Sequence, residues 1–224
     1  MIPLRDEIPT HRTPIVTYAL IALNVLVFIF QYLFSAGDPE LVYSFAMVPA
    51  LVTGNFGLWP YLTIFTSMFM HGGLAHIGGN MLYLWIFGDN VEDRLGHVKY
   101  LAFYLIGGVA ASLAHLLTNP GSQIPTVGAS GAIAAVLGAY LVLFPQSRIV
   151  TFIPLGFFMR LTVVPAVIVL GMWFVLQLFS GVLSLGGPDV GGVAFWAHIG
   201  GFVIGVLMAL PFIPKRRREN EISW

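Results

Sequence analysis

Six long apolar runs, separated by short polar segments, limit what this chain can fold into more than any other feature. The runs cover residues 14–34, 74–87, 100–117, 126–144, 163–182 and 193–213. A helix needs about 20 apolar residues to cross a bilayer, and the segments between the runs are rich in residues that favour turns. The second run is short, and the apolar stretch 61–70 offers an earlier start for it. The sequence therefore predicts an all-α membrane protein, a bundle of six transmembrane helices.

The composition points to lipid as the solvent for most of the chain. Of 224 residues, 58% are hydrophobic and only 9% are charged, whereas roughly a quarter of the residues in a soluble domain are charged. The net charge is zero, so a nucleic-acid partner is not indicated. The chain has no cysteine, which excludes disulfides, thiolate metal ligands and a cysteine nucleophile.

The basic residues predict how the six helices are oriented, because lysine and arginine are enriched in cytoplasmic loops. The chain has ten of them: Arg5, Arg12, Arg94, Lys99, Arg148, Arg160, Lys215, Arg216, Arg217 and Arg218. With both termini in the cytoplasm, all ten fall on the cytoplasmic side. The outer loops 35–73, 118–125 and 183–192 then contain none.

We expect a single membrane domain. Residues 1–13 form a cytoplasmic N-terminal segment, 14–213 the six-helix core and 214–224 a cytoplasmic basic tail that anchors at the inner face. No cleavable signal is apparent, so the first span is expected to direct the chain to the membrane. Because we find no soluble appendage, we expect the cell membrane (plasma or inner) as its location.

Polar side chains gather at one predicted depth, the outer ends of the three helices that enter the membrane from outside. They are His71, His76, Asn80, Ser130 and His198, and His115 lies in the third run. Such groups are costly in a span unless they face a cavity or a partner, which makes each a functional candidate. A hydroxyl, imidazoles and a carboxamide at one level are what acyl-transfer chemistry needs.

The fourth and sixth runs can bring a serine and a histidine together. His198, Gly201 and Gly205 are spaced i, i+3 and i+7, so they share a helical face, and glycines four residues apart let another backbone approach closely. Ser130 and Gly138 lie on a matching face of the fourth run. We therefore expect a serine–histidine dyad within hydrogen-bond reach, about 3 Å. No carboxylate lies at this depth to add a third member.

The second run offers donors for a developing oxyanion. His76 and Asn80 are four residues apart and share a face, whereas His71 is rotated away and is expected to precede the regular helix. The Ser130 backbone N–H is a further candidate donor, since it lies at a helix N-terminus.

Taken together, these motifs resemble those of the rhomboid proteases. His71, His76 and Asn80 match the family's HxxxxHxxxN pattern, residues 128–131 match its GxSG motif, and residues 197–201 match its AHxxG motif. The segment 88–96 is similar to the acidic-x-Arg turn that follows the family's second helix. The resemblance covers roughly residues 14 to 213.

The resemblance implies roles for these residues. Ser130 would be the nucleophile and His198 its general base, and Asn80, His76 and the Ser130 amide would line the oxyanion hole. The reaction implied is hydrolysis of a peptide bond in or near a transmembrane segment of another membrane protein, without metal or cofactor. The implied partners are such substrates and the lipid bilayer. Substrate would enter sideways near helices two and five, and the first outer loop would lie partly in the membrane.

Two positions depart from the family pattern. Some members place an aromatic residue four positions after the nucleophile, against the histidine, whereas this chain has Ala134. Some carry a Trp-Arg pair in the first outer loop, whereas here Trp59 is followed by Pro60. The first departure leaves open what holds the His198 ring.

The remaining polar and small residues are interpreted as structural support. This set comprises Gly128, Gly131, Gly201, Gly205, His71, Glu92 and Arg94. We expect Glu92 and Arg94 to form an ion pair at the inner surface, and His115 to make an interhelical hydrogen bond. Trp173, Phe174 and Gln177 in the fifth run either shape a substrate gate or face lipid.

Four other functions were weighed. A zinc protease using His71, His76 and His198 is disfavoured because the chain has no HExxH and no glutamate in these spans. A soluble-type serine hydrolase needs GxSxG, but residue 132 is alanine. A transporter is disfavoured because no charged residue lies near mid-membrane. An inactive rhomboid-like escort for membrane clients typically lacks the serine or the histidine, and this chain keeps both.

Overall fold

The computed structural model describes residues 1–34, 39–54, 57–155, 158–185 and 193–213. The predicted basic tail, 214–224, therefore lies outside the described residues, as does most of the outer loop 183–192. The long helices in this part are α1 (Ile15–Phe34), α5 (Leu74–Leu95), α6 (His97–Thr118), α7 (Ser130–Leu143), α8 (Ala166–Ser184) and α9 (Phe195–Ala209). Each overlaps one of the six apolar runs, so the prediction of a mostly helical chain is confirmed.

Among the described residues, four helical segments are long and apolar enough to cross a membrane, by length and composition. They are α1, α6, α8 and the segment Phe195–Phe212, in which α9 continues into a 3₁₀ turn. Helix α7 is apolar but has only 14 residues. Helix α5 has 22 residues and carries charged side chains in its last two turns. The chain is thus a mostly helical membrane protein.

The described part of the connection between α1 and α5 contains three short helices, α2 (Pro39–Phe45), α3 (Pro49–Thr53) and α4 (Trp59–Thr66), followed by a 3₁₀ turn. Met47 and Leu116 are buried in one apolar cluster, which fastens this connection to the C-terminal end of α6. The Trp59 indole N–H donates to the Ser44 carbonyl oxygen at 2.9 Å. The connection is therefore a packed element beside the C-terminal end of α6.

The prediction of an all-α fold is wrong at one end of the molecule, where the chain forms a three-stranded antiparallel sheet. Its strands are β1 (Ile2–Asp6), β2 (Arg148–Leu155) and β3 (Phe158–Pro165), in the order β1-β2-β3. Asp6 pairs with Ile149, and Arg148 pairs with Pro165. The fifth apolar run includes the end of β3, and its β-branched residues suit a strand. Helix α8 starts only at Ala166, after Pro165.

Helix α7 is the centre of the bundle, because every residue from Gly131 to Tyr140 is buried. It packs against α5, α6 and α9. A Cβ added at Gly201 would collide with the Gly131 carbonyl oxygen, and one at Gly205 with the Ala135 carbonyl oxygen. The close approach of two glycine-lined faces, predicted from the sequence, is therefore present between α7 and α9.

The predicted ion pair between Glu92 and Arg94 is wrong. The buried Glu92 carboxylate accepts the backbone N–H groups of Val16 at 2.8 Å and Thr17 at 2.7 Å, and also lies 2.6 Å from Nδ1 of His97. It thus caps the N-terminus of α1, where a negative charge is favoured. The two residues are two positions apart on α5, and side chains at that spacing do not face each other on a helix.

Arg94 instead joins α5 to the end of α9. Its Nε and Nη2 donate to the carbonyl oxygen of Phe212 at 3.0 and 2.8 Å. Phe212 closes the 3₁₀ turn after α9, where carbonyl groups have no partner within their own helix. Glu92 and Arg94 therefore both support the fold, but each does so through a helix terminus.

Candidate active site

Ser130 and His198 are hydrogen-bonded to each other. Nε2 of His198 lies 2.7 Å from Oγ of Ser130. Ser130 is the first residue of α7, and His198 stands in the first turn of α9. The glycine contacts between the two helices set this distance, because they let the backbones approach closely. The predicted contact between the hydroxyl and the imidazole is confirmed, and the chemical roles of the two residues stay predictions.

The second nitrogen of the His198 ring is bonded to a residue that the sequence analysis did not assign to the site. Nδ1 lies 2.7 Å from Oε1 of Gln177 on α8. The Trp173 ring, one turn earlier on α8, lies 5.8 Å from the His198 ring, centroid to centroid. A signal was present in the sequence: a single carboxamide in an otherwise apolar span is costly unless it has a partner.

Asn80 carries an unused donor beside this pair. The residue is 7% exposed, and its Nδ2 has no hydrogen-bond partner among the described residues. Asn80 lies on the second turn of α5 and lines the same cavity as Ser130 and His198. A buried N–H group without an acceptor costs free energy, roughly 1–3 kcal/mol. A ligand oxygen in the cavity could accept from it.

His76 lies on the same face of α5, one turn before Asn80, and contacts the loop that precedes α7. Its Nδ1 accepts the backbone N–H of Gly72 at 3.2 Å. A Cβ at Gly128 would lie 2.8 Å from His76 Nε2, and Gly128 has a φ of 129°, which L side chains rarely adopt. Only glycine is therefore free of strain here, and the backbone of the GxSG motif passes close to Nε2 of His76.

The site opens into a cavity of about 1360 Å³. Its wall includes Asn80, Ser130 and His198, and it extends along α6 to His115. Because hydroxyl, amide and imidazole groups line it, water can occupy it. The arrangement offers a hydroxyl, a base in contact with it, and a free donor in one polar chamber.

The structure brings the other two candidate histidines, His71 and His115, near this cavity without placing them against Ser130. The backbone of His71 pairs with the Gln31 side chain in both directions, at 2.9 and 3.1 Å, just before α5 begins. The His71 ring is buried edge-on to His76, and its nitrogens have no hydrogen-bond partner in the part of the chain described. His115 lies within 3.2 Å of Thr126 Oγ1, in the connection between α6 and α7.

Together, fold and site define a helical membrane protein whose serine–histidine pair lies in a polar cavity among the helix ends. The family model described as Rhomboid domain matches residues 58–215, which is more than half of the chain. The chain belongs to the rhomboid family.

Three relatives illustrate the range of the similarity. The chain is 31% identical over 204 residues to Rhomboid protein 1, mitochondrial, of Saccharomyces cerevisiae, covering 88% of this chain and 53% of the relative. It is 30% identical over 199 residues to rhomboid protease GluP of Bacillus subtilis, covering 88% and 36%. It is 29% identical over 208 residues to rhomboid protease GlpG of Haemophilus influenzae, covering 93% and 95%. The chain thus spans about half or less of the first two relatives and nearly all of the third.

Proposed function

We propose that this protein is an intramembrane serine endopeptidase that cleaves peptide bonds in or near transmembrane segments of other membrane proteins. The observation that carries the proposal is the 2.7 Å separation between Ser130 Oγ and His198 Nε2 in the wall of a polar cavity. Membership of a family that includes proteins named as proteases supports it.

In the proposed reaction, Ser130 Oγ attacks the carbonyl carbon of the scissile bond while His198 Nε2 takes the hydroxyl proton. His198 then gives that proton to the leaving amine, and an acyl group remains on Ser130. Water from the cavity then attacks the acyl carbonyl carbon while His198 takes its proton. As the bond between the acyl group and Ser130 Oγ breaks, His198 returns that proton to Oγ, and the new carboxyl terminus is released. Neither a metal nor a cofactor takes part in these steps.

The proposed oxyanion hole is formed by Asn80 Nδ2, His76 and the Ser130 backbone N–H. Support comes from the unpaired Asn80 donor, since it has no acceptor among the described residues until a substrate oxygen arrives. The Ser130 N–H is one of the first amides of α7, which have no acceptor within their helix. Donors fixed in place before the reaction stabilise the developing charge without reorganisation.

The proposed membrane topology has six spans, α1 and α5 to α9, with both termini in the cytoplasm. The ten lysines and arginines support it, because all of them then fall on the cytoplasmic side. Ser130 and His198 would lie just below the outer surface, since α7 and α9 run inward from their first residues. We propose one membrane domain for 1–224, and the cell membrane (plasma or inner) stays our prediction for its location.

The proposed route for a substrate helix passes between α5 and α8. Helix α8 packs against α9 and α7, whereas α5 and α8, both fully described, share no extensive packing. The lipid-facing side of α8 is apolar, with Val175 and Phe179 exposed. A transmembrane segment could therefore approach the cavity from the bilayer.

The test is cleavage of a model transmembrane substrate by protein reconstituted in lipid vesicles. Ser130→Ala and His198→Ala are each expected to abolish cleavage while the protein stays folded. Ser112→Ala is the matched control, because Ser112 is a buried serine that lines the same cavity from α6, and it is expected to keep activity. Undiminished cleavage in either of the first two variants would refute the proposal.

A further inference from the structure

One hydrogen bond decides which nitrogen of His198 carries a proton. Oε1 of Gln177 is a carbonyl oxygen and can only accept, so the Nδ1 that lies 2.7 Å away must donate. A neutral imidazole carries one proton, which leaves Nε2 with a free lone pair directed at Ser130 Oγ. This is the tautomer that a general base for the serine requires.

Gln177 is held in this position by the packing of α8 on α9. Trp173, Gln177 and Gly181 are four residues apart and share one face of α8. The Trp173 ring lies against the rings of both His198 and Phe202. One turn beyond Gln177, Gly181 approaches α9 so closely that an added Cβ would lie 3.0 Å from a methyl carbon of Ile199. The carboxamide is thus positioned between two helix–helix contacts.

No acidic residue can take this role from α8 or α9, since neither helix contains an aspartate or a glutamate. Residue 134, on the second turn of α7, is an alanine without a side chain long enough to hold the ring. The His198 ring is therefore held by α8, through the Gln177 amide and the Trp173 indole.

We propose that Gln177 is the positioning residue for His198, and that the catalytic pair is complete only while α8 lies against α9. This inference rests on the proposed function. When Ser130 Oγ attacks, its proton moves to Nε2, and Nδ1–H continues to donate to the neutral amide, which takes no proton. An outward movement of α8 would withdraw the Gln177 oxygen and release the ring. Helix α8 would then both border the substrate route and determine whether the His198 ring is held in place as the base.

Three substitutions test the role of Gln177. Gln177→Met keeps the length of the side chain and removes the acceptor, Gln177→Asn keeps an amide too short to reach Nδ1, and Gln177→Glu keeps an oxygen acceptor. Val167→Met is the control, because Val167 is 50% exposed in the first turn of the same helix, ten residues before Gln177. The measurements are kcat and KM for a transmembrane substrate in vesicles, and the rate at which a small fluorophosphonate labels Ser130.

The Met and Asn variants are expected to lose about tenfold to hundredfold in kcat, the size of loss that a misplaced catalytic group produces. KM should change little, and labelling should slow by a similar factor, since the small probe also needs an activated serine. Gln177→Glu should recover most of both rates, and Val167→Met should match the parent.

If Ser130→Ala abolishes cleavage, the proposed function stands, and either of two results would then overturn the inference about Gln177. One is an unchanged kcat and labelling rate in both the Met and Asn variants. The other is slower cleavage of the transmembrane substrate with normal labelling, which would assign Gln177 to substrate entry. Cleavage that survives Ser130→Ala would instead overturn the proposed function itself.

Discussion

Nε2 of His198 lies 2.7 Å from Oγ of Ser130, although 68 residues separate the two along the chain. Each residue stands in the first turn of its helix, and the two helices touch through glycines. The contact therefore depends on the approach of two backbones as much as on the two side chains. This relationship leads to predictions about reactivity, about the helix interface and about the two ends of the bundle.

Reactivity at Ser130 should depend on His198. We expect a fluorophosphonate to label the parent protein and to leave both Ser130→Ala and His198→Ala unlabelled, because the first lacks the hydroxyl and the second lacks its base. Gel fluorescence after a timed exposure measures the labelling. Thermal unfolding in detergent should show both variants nearly as stable as the parent. Absence of labelling in the folded parent would instead favour an inactive escort protein.

Removing the Asn80 amide should lower the reaction rate without lowering stability. Loss of one donor to a developing oxyanion costs roughly 10²–10³ in kcat, so Asn80→Ala should fall in that range. Its Nδ2 is buried without a partner among the described residues, so no native hydrogen bond from that donor is lost. Initial rates and a melting curve on the same preparation check both parts. A rate equal to that of the parent would remove Asn80 from the oxyanion hole.

Adding one methyl group between α7 and α9 should destabilise the protein. Gly201→Ala places a Cβ against the Gly131 carbonyl oxygen, and overpacking of this kind costs about 1–3 kcal/mol. Gly171→Ala in α8 is the control, since a Cβ there meets nothing within 4 Å. Equilibrium unfolding in mixed micelles gives the free energies. Equal losses in both variants would mean that the close approach is unimportant.

The cap that Glu92 forms on α1 should contribute measurably to stability. The two carboxylate oxygens of Glu92 each accept one N–H group, from Val16 and from Thr17. A glutamine at position 92 keeps only one of these acceptor oxygens and removes the charge. Hydrogen bonds to charged groups contribute about 1.5–3 kcal/mol each, so Glu92→Gln should lower the free energy of unfolding by an amount of that order. Glu7→Gln, at an exposed position, should have little effect. Similar unfolding curves for the two variants would contradict the capping role.

The attachment of β1 to the bundle should depend on pH. Burial raises the pKa of the Asp6 carboxyl above its ordinary value of 3.8, although the Tyr140 hydroxyl, which donates at 2.7 Å, partly offsets the effect. A carboxyl whose pKa is higher in the folded state binds protons more tightly there. The contribution of the Asp6 carboxyl to the free energy of unfolding is therefore fully present below pH 3.8 and is lost as the pH rises through the raised pKa.

Asp6→Asn isolates this contribution, because the variant cannot titrate at position 6 and its side-chain oxygen can still accept from Tyr140. Melting temperatures of the parent and the variant, measured from pH 3.5 to 7.5, give the difference between them as a function of pH. We expect the parent to lose stability relative to Asp6→Asn as the pH rises. A difference that is constant with pH, or that has the opposite sign, would contradict the assignment.

Much of the architecture was predictable because it depends on local properties. The bounds of α1, α5, α6, α7 and α9 lie near the apolar runs, since length and hydropathy are sufficient to predict helices in lipid. The positions of Asn80, Ser130 and His198 in the first two turns of their helices follow from the same bounds. The sheet was missed because the N-terminal strand pairs with a segment more than 140 residues away, and such pairing leaves little trace in either segment alone.

What the sequence alone determined is therefore the set of long helices and the level along them at which Ser130, His198 and Asn80 stand. Apolar length and spacing are properties of each segment by itself. The tertiary structure decided which atoms meet: Gln177 with His198, Glu92 with the N-terminus of α1, and Arg94 with the end of α9. Those contacts depend on how each helix is rotated about its axis and which face meets which neighbour. The rotation is set by packing across the whole bundle.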